Sequence, residues 1–378
     1  MPGTPGAEGL AARPGLDGRD LVGRSADVEL VRRLIGSARL VTVTGLPGVG
    51  KTAVGLAAAG AAASSFADGS LLLRLDALRD ETLLPHTIAA ALQLPDDFSR
   101  GRLPVLAEQL RDQHLLLVLD TCEHLLGACA SLIAALLPAC PKMQVLATSR
   151  GPLRVPGEAA AEIRPLRLAD AVDLFGRCAA RAGAVITPEQ RAVVASVCAQ
   201  LDKLPLAIEL AAGQLAELQR VWADQPLDRR TAEPVAALLA QLEAGHDVPR
   251  GDGEPGRHRT LRAAIGWSHE LCTPSERLLW ARLSVFAGAF SRADAQDVCA
   301  SGQLPAGTIA AGLSLLAERS LLLASREPDG SLRFRLPATV RAYGRRMLRR
   351  LGQEDEYAAR YQHWQDGERR AHGTPAGT

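Results

Sequence analysis

The sequence predicts an α/β domain with a parallel β-sheet, followed by a helical bundle and a winged-helix domain. Up to about residue 165, short apolar runs alternate with helical stretches, which is typical of a parallel sheet covered by helices on both faces. Beyond that residue the strand signals stop and helical patterns follow one another. Near the end, a helix, a hairpin pattern and a further helix occur in this order, which indicates a winged helix.

Five segments are predicted along the chain. A Gly- and Pro-rich start favours a flexible arm, and the polar stretch 245–257 favours a linker. The segments are a flexible arm over 1–20, the α/β domain over 21–165, a helical lid domain over 166–245, the winged-helix domain over 246–350 and a C-terminal helix or tail over 351–378.

In the α/β domain, an amphipathic helix is predicted at 26–35, and a longer helix follows a Gly-rich loop at 51–63. Short apolar runs predict the strands, because a strand buried on both faces needs no alternation of polar and apolar residues. The predicted strands are 40–44, 71–75, 115–119, 144–148 and about 161–163.

Helical patterns dominate the second half of the chain. Thr187 with Gln190, and Thr273 with Glu276, form capping boxes, in which the first and fourth residues cap each other at the start of a helix. The predicted helices are 169–182, 188–201, 205–218, 233–242, 260–269, one after Thr273, one from 291, 306–319 and 341–350, and the hairpin pairs 321–325 with 333–336.

The composition is that of a soluble protein with several domains, since 47% of the 378 residues are apolar and 22% are charged. A formal net charge of +1 gives no global attraction to nucleic acid or anionic lipid. The start of the chain lacks the apolar core of a signal peptide, and no apolar run approaches the ~20 residues of a membrane span. We therefore expect a cytoplasmic protein without a membrane partner. Seven cysteines without a Cys-x-x-Cys pair favour buried free thiols.

The Gly-rich loop reads Gly45-Leu-Pro-Gly-Val-Gly-Lys-Thr52 and matches the P-loop pattern between a predicted strand and a predicted helix. Its glycines permit positive φ, so that successive backbone N–H groups can face a phosphate at a helix N-terminus. Lys51, one of only three lysines in the chain, would reach the β- and γ-phosphates, and the Thr52 hydroxyl would ligate Mg²⁺. The residues expected to bind the nucleotide here are Gly45, Gly48, Val49, Gly50, Lys51, Thr52 and Ala53.

Three further side chains are predicted at the same edge of the sheet. Asp120 ends an apolar strand and would hold the water shell of the metal. Glu123 would position an attacking water, with His124 and a plain surface role as alternatives. Arg150 follows the next strand, where it would sense a γ-phosphate or make a structural ion pair. Lys51, Asp120, Glu123 and Arg150 are therefore the predicted catalytic residues, and Thr52 and Asp120 the predicted metal-binding residues.

The chain resembles signal-transduction ATPases of the STAND class in their NB-ARC-like branch, in particular the ATPase region of actinobacterial SARP- and LuxR-type transcriptional regulators. The matching segments cover about residues 21 to 348 in one order. They are Leu21-Val-Gly-Arg24, GLPGVGKT at 45–52, LLLVLDTCEH at 115–124, VLATSR at 145–150, LPLAIELAA at 204–212, RHRTLRAAIGWS at 257–268 and FRLPATVRAYG at 334–344.

This resemblance implies a nucleotide switch that binds ATP or ADP with Mg²⁺ and hydrolyses ATP slowly. It also implies that Val22, Arg24 and Pro205 contact the adenine side, that the winged helix closes over ADP, and that ATP exchange permits self-association or binding of a protein partner. The sequence departs from the family at three places: Thr121 stands where Asn is usual, Lys203 stands where Gly is usual, and Pro337-Ala338 replaces a His-Asp pair that senses ADP in related eukaryotic ATPases.

The leading hypothesis is a regulatory ATP/ADP-binding module of a transcriptional regulator. One alternative is an ATPase with high turnover. Another is a DNA-binding protein whose winged helix contacts phosphates through Arg341, Arg345, Arg346, Arg349 and Arg350, although a solvated helix also explains these arginines. Because no repeat array or second helix-turn-helix domain follows, we expect the output module to be missing, lost or on another chain.

Overall fold

The computed structural model describes residues 7–9, 21–92 except 77 and 79, 103–224, 233–243, 265–266, 269–270, 272–327 except 320, and 330–371. Contacts divide the chain into two compact units, residues 1–164 and residues 165–378.

The first unit is a six-stranded sheet with helices. Its strands are β1 (Ala7–Gly9), β2 (Leu40–Gly45), β3 (Ser70–Arg74), β4 (Leu116–Asp120), β5 (Gln144–Thr148) and β6 (Glu158–Ile163). Its α-helices are α1 (Ser25–Ile35), α2 (Lys51–Ala62), α3 (Leu84–Ala91), α4 (Leu103–Leu110) and α5 (Leu126–Ala139).

The strand order is β1-β3-β4-β5-β2-β6, and the five strands β2 to β6 run parallel. The predicted parallel sheet is thereby confirmed. Every residue of β2 and β4 is buried, as expected for continuous apolar runs between two helical layers. The β2 strand, which leads into the P-loop, lies between β5 and β6, so the P-loop and the end of β5 share one edge of the sheet.

Two differences from the sequence prediction concern the edge strands. Within the predicted flexible arm, Ala7–Gly9 form β1, which pairs antiparallel with β3. The free edge of β3 offers unpaired backbone groups, and these can pair with a segment that has no apolar pattern of its own. Strand β6 begins at Glu158, earlier than the predicted 161, because its backbone pairs with β2 from Leu40 onward.

The second unit begins with a helical part. Helix α6 (Leu168–Arg181) packs against α7 (Arg191–Gln200) and α8 (Pro205–Ala223), and α9 (Pro234–Glu243) packs against α7 and α8. The capping box at Thr187 is present, although it caps a short 3₁₀ turn that leads into α7. The predicted linker 245–257 and most of the predicted helix 260–269 lie outside the described residues.

The predicted winged helix is confirmed in the rest of the second unit. A hairpin is formed by β7 (Leu323–Arg326) and β8 (Leu332–Arg335). On the other side of β8, Phe290 and Phe334 exchange two backbone hydrogen bonds of 2.8 Å and form an isolated antiparallel bridge. No helix among the described residues combines the length and apolar character that a membrane span needs. The elements are α10 (Pro274–Leu283), α11 (Arg292–Cys299), α12 (Ala306–Glu318), β7 (Leu323–Arg326), β8 (Leu332–Arg335), α13 (Ala338–Arg350) and α14 (Glu354–Ala371).

Candidate functional site

The P-loop has the backbone shape of a phosphate cradle. Gly45, Gly48 and Gly50 have φ values of +144°, +74° and +98°, which residues other than glycine rarely adopt. A Cβ at Gly45 would lie 2.5 Å from the carbonyl oxygen of Ile163 on β6, so only glycine fits there. The loop connects the carboxyl end of β2 to the first turn of α2, whose dipole favours an anion.

Lys51 is the first residue of α2, and its side chain folds back over the loop. Its Nζ donates hydrogen bonds to the carbonyl oxygens of Gly45 and Leu46, at 2.9 and 3.0 Å. Removal of the ammonium from water lowers the pKa of Lys51 to about 8, although the carboxylates of Glu123 and Asp120 raise it. The residue as a whole is half-buried, but its charged end lies in low-dielectric surroundings among other ionised groups.

Asp120 is the centre of a hydroxyl network at the end of β4. Its Oδ1 accepts hydrogen bonds from the hydroxyls of Thr52, at 2.7 Å, and Thr148, at 2.5 Å. The same Thr148 Oγ1 accepts the backbone N–H of Thr121 at 2.9 Å. Asp120 and Thr148 are buried, so the bonds of Thr148 lie away from bulk water, whereas the bond from Thr52 is partly buried.

Thr121 has φ +70°, in the left-handed region that β-branched residues avoid. This is the position where the family resembled by the sequence usually has Asn, a residue that tolerates the left-handed conformation. The backbone therefore turns sharply just after Asp120, and the turn directs the Thr121 N–H at Thr148.

Glu123 and Arg150 form a buried ion pair. Their side chains are 11% and 7% exposed, and Arg150 Nε lies 3.3 Å from Glu123 Oε1. Both charges act on Lys51, so Lys51, Asp120, Glu123 and Arg150 form one electrostatic cluster. His124 has a different contact: its Nε2 lies 2.9 Å from the carbonyl oxygen of Leu78.

Arg24 supports the P-loop from outside. Its guanidinium is buried and donates to the carbonyl oxygens of Val49, at 2.7 Å, and Arg164, at 2.8 Å, and it pairs with Asp27 at 2.8 Å. These bonds fix the loop between β2 and α2 to the segment after β6. Val22 lies half-buried in the turn before α1.

The remaining predicted binding residues are placed as follows. Ala53 lies in the first turn of α2, next to Lys51 and Thr52. Pro205 is the first residue of α8, in the second unit. The first unit thus brings the predicted catalytic and metal-binding side chains together, and Pro205 belongs to a different unit.

Sequence reasoning missed the role of Thr148 beside Asp120. The only available signal was its position at the end of a strand parallel to β4, which places it at the same sheet edge. It also missed the bonds of Arg24, because Val49 in the loop is 25 residues away along the chain and Arg164 after β6 is 140 residues away.

The residues at this site fit a magnesium ion and a nucleotide phosphate. Mg²⁺ prefers oxygen ligands and uses one or two protein groups together with phosphates and water. A hydroxyl and a carboxylate in contact, Thr52 and Asp120, are such a donor set. The glycine cradle and Lys51 supply the N–H groups and the positive charge that a phosphate needs.

Comparison with known proteins places the chain in a family. The "Uncharacterized protein Rv0894" of Mycobacterium tuberculosis is 34% identical over 345 residues, which cover 90% of this chain and 84% of that protein. The chain belongs to the same family as Rv0894. The model of the winged helix-turn-helix domain family matches residues 273–349 of this member of the Rv0894 family.

A longer relative carries a regulator's name. "Putative HTH-type transcriptional regulator Rv0890c" of Mycobacterium tuberculosis is 37% identical over 331 residues, which cover 87% of this chain. This member of the Rv0894 family therefore spans about a third (36%) of the length of that relative.

A solved structure shares the fold. The Walker-type ATPase PABY2304 of Pyrococcus abyssi superimposes with a TM-score of 0.55 at 14% sequence identity, covering 88% of this chain and 99% of that chain. At this identity the similarity concerns the fold alone, and the fold of this Rv0894 relative is that of a P-loop ATPase with a winged helix.

Proposed function

We propose that the chain is the ATP/ADP-binding switch module of a signal-transduction ATPase in the NB-ARC-like branch of the STAND class, part of or related to a transcriptional regulator. The observation that carries this proposal is the P-loop itself. Its three glycines with positive φ, the ammonium of Lys51 folded over the loop, and the bond between Thr52 and Asp120 belong to one small region.

Phosphate binding would use the loop as it stands. The backbone N–H groups from Gly48 to Ala53 and the N-terminus of α2 supply partial positive charge. The ammonium of Lys51, now bonded to two carbonyl oxygens, would exchange these partners for phosphate oxygens. A charged acceptor makes a stronger hydrogen bond than a neutral carbonyl, so the exchange favours binding.

Magnesium would be held by Thr52 and, through its water shell, by Asp120. When bound, the ion neutralises charge on the phosphates and orients them. Asp120 as a carboxylate can only accept hydrogen bonds, so the Thr52 hydroxyl must donate to it. The lone pairs of Thr52 Oγ1 are then left for a cation.

We propose slow hydrolysis, because Glu123 is engaged by Arg150. A carboxylate paired at 3.3 Å with a guanidinium has its charge compensated and is less available to accept a proton from water. This pairing is compatible with both predicted roles of Arg150, since a γ-phosphate would compete with Glu123 for the same guanidinium. The enzyme activity proposed is therefore a slow Mg²⁺-dependent ATPase.

The winged helix is proposed to serve regulation through a protein partner or self-association. Helix α12, the second helix of the helix-turn-helix, contains no Lys or Arg in its sequence AGTIAAGLSLLAE, whereas recognition of DNA phosphates needs basic residues. In the hairpin and in α13, several arginines lie beside carboxylates of the chain itself, which compensates their charge. These pairs are Arg333 with Asp294, Arg335 with Asp202, and Arg345 and Arg349 with Glu354.

The test is nucleotide binding by Lys51→Ala. We expect the wild-type protein to bind ADP and ATP, and the variant to lose this binding while it unfolds at a temperature close to that of the wild type. Lys142→Ala is the matched control, because Lys142 is an exposed lysine in the turn after α5. Binding is measured by calorimetry, and nucleotide carried through purification is identified by chromatography after denaturation.

Two results would contradict the proposal. Lys51→Ala that retains wild-type affinity would remove the P-loop as the binding site. Phosphate release faster than about 1 s⁻¹, the low end of ordinary enzymes, would favour a high-turnover ATPase over a switch.

A further inference from the structure

The hydroxyl of Thr148 makes two hydrogen bonds in the region of Asp120, one as donor and one as acceptor. The hydroxyl donates its proton to Asp120 Oδ1 at 2.5 Å and accepts the N–H of Thr121 at 2.9 Å. The side chain is 2% exposed and reaches across from the end of β5 to the end of β4. Because the Thr148 hydroxyl is bound inside the protein both as donor and as acceptor, it can hold the carboxylate of Asp120 in one orientation.

The strained backbone of Thr121 supports the contact between Thr148 and Asp120. Thr121 adopts φ +70°, which costs free energy for a β-branched residue. In this conformation its N–H points at Thr148 Oγ1, and Thr148 in turn donates to Asp120. The chain Thr121 N–H, Thr148 hydroxyl, Asp120 carboxylate thus fixes which oxygen of Asp120 is occupied and where the other one lies.

We propose that Thr148 is a positioning residue that orients Asp120 for the metal of the nucleotide site. This inference rests on the proposed function, because it assigns a part in the binding of Mg²⁺ together with nucleotide. Thr148 itself would not be a ligand: Thr52 and Asp120 would hold the metal, and Thr148 holds Asp120 in the rotamer that also contacts Thr52. Groups that orient metal-binding side chains typically contribute 10–100-fold, as an order of magnitude, to metal affinity.

The chain offers a matched control on the neighbouring strand. Thr42 on β2 is fully buried, stands opposite Ala147 in the parallel register, and its hydroxyl has no hydrogen-bond partner in the described part of the chain. Thr42→Val and Thr148→Val each replace a threonine by the isosteric valine and remove one hydroxyl from the same sheet. Thr42 lies opposite Ala147, the residue next to Thr148. Only Thr148→Val removes a bond to Asp120.

The experiment measures ADP affinity by calorimetry in Mg²⁺ and in EDTA, for the wild type and three variants of the full chain. The readout is the ratio of the two affinities. We expect Thr42→Val to keep the wild-type ratio and Thr148→Val to reduce it about tenfold or more, with ADP affinity in EDTA unchanged. Thr148→Ser keeps the hydroxyl and is expected to keep the ratio.

Thr148→Ser also separates orientation from packing and serves if Thr148→Val does not fold. It deletes the methyl group of Thr148, which packs near Gly55 of α2. If Thr148 acts only through packing, the serine variant has a reduced ratio of ADP affinity in Mg²⁺ to ADP affinity in EDTA. If Thr148 orients Asp120, the variant loses thermal stability but keeps the wild-type ratio.

The outcomes distinguish this inference from the proposed function. The inference is overturned if Thr148→Val keeps the wild-type ratio of ADP affinities in Mg²⁺ and EDTA, or if Thr148→Ser lowers that ratio. Either result leaves the proposed nucleotide switch unaffected. Wild-type binding of ADP that Mg²⁺ does not strengthen also overturns the inference alone. A wild-type protein that binds no ADP under either condition overturns both.

Discussion

Residues of the P-loop region can be recognised from the sequence, but the charged groups around them cannot. Lys51 is recognisable from its motif alone, but its surroundings are tertiary: Asp120, Glu123 and Arg150 come from two other strand ends and act on its ammonium. Burial lowers the pKa of Lys51 to about 8, so the free protein loses this charge at a pH where an exposed lysine keeps it. A bound phosphate would raise the pKa again.

The pH dependence of ADP binding follows from this shift. Above pH 8 the free protein has a neutral Lys51, whereas the complex needs the ammonium, so binding takes up a proton. We expect the affinity to be constant below that pH and to fall about tenfold for each unit above it, until the pKa of the complex is reached. Calorimetry in buffers of different ionisation enthalpy measures the proton uptake.

Lys51→Arg is the control for this prediction, because a guanidinium stays charged throughout the range. If the arginine variant binds ADP at all, its affinity should not change with pH above 8. A wild-type affinity that is flat from about pH 7 to about pH 9 would show that Lys51 does not titrate there.

Among the elements of the second unit, two helices contain a glycine in contrasting surroundings. Gly344 in α13 faces α10, and a Cβ there would lie 3.0 Å from the ring of Trp280 and 3.1 Å from Ser284 Cβ. Trp280 cannot easily move, because it is buried and its Nε1 donates to the carbonyl oxygen of Val340 at 3.0 Å. Gly213 in α8 is exposed and a Cβ there would meet nothing within 4 Å.

Opposite effects on stability are therefore expected from the same substitution. Gly213→Ala should raise the free energy of unfolding by about 0.5–1 kcal/mol, because alanine favours the helix. Gly344→Ala should lower it by about 1–3 kcal/mol, because the added methyl group overpacks the contact between α10 and α13. Urea unfolding followed by circular dichroism measures both, and a stabilising Gly344→Ala would mean that the two helices can separate without cost.

Across the second unit, the helical part and the winged helix meet at Asp202. Its carboxylate accepts from the backbone N–H and the hydroxyl of Thr339, at 3.0 and 3.1 Å, and lies 3.8 Å from Arg335. Helix α13 follows Pro337, which has no side chain able to cap it, so Asp202 caps this helix from a distant part of the chain. Asp202 and Lys203 both have left-handed φ values, +53° and +56°, which explains why glycine suits the position of Lys203 in the family resembled.

Removal of this cap should loosen the first turn of α13. Asp202→Gly fits the left-handed backbone but cannot cap, so amide exchange at Thr339 should rise about fivefold, corresponding to a cap of about 1 kcal/mol. Asp202→Asn fits the backbone and keeps an acceptor oxygen, so its exchange should stay near that of the wild type. Hydrogen exchange followed by mass spectrometry of peptides covering residues 337–343 measures both. Equal protection in the two variants would mean that Asp202 does not cap the helix.

The features that could be predicted from the sequence alone are local ones. Apolar runs located β2 to β5 within about a residue, the capping boxes at Thr187 and Thr273 marked two helical starts, and the P-loop pattern marked the turn between β2 and α2. These features depend on neighbours a few residues apart, whose preferences are similar in any fold.

Contacts between residues far apart in the chain could not be predicted and are seen in the folded structure. Four contacts join residues tens to more than a hundred positions apart: the pairing of β1 with β3, the bond of Thr148 to Asp120, the bond of Arg24 to Val49 in the P-loop and the cap of Asp202 on α13. Such contacts follow from the packing of whole elements, and a hydrogen bond between polar groups many residues apart leaves no period or motif in the sequence.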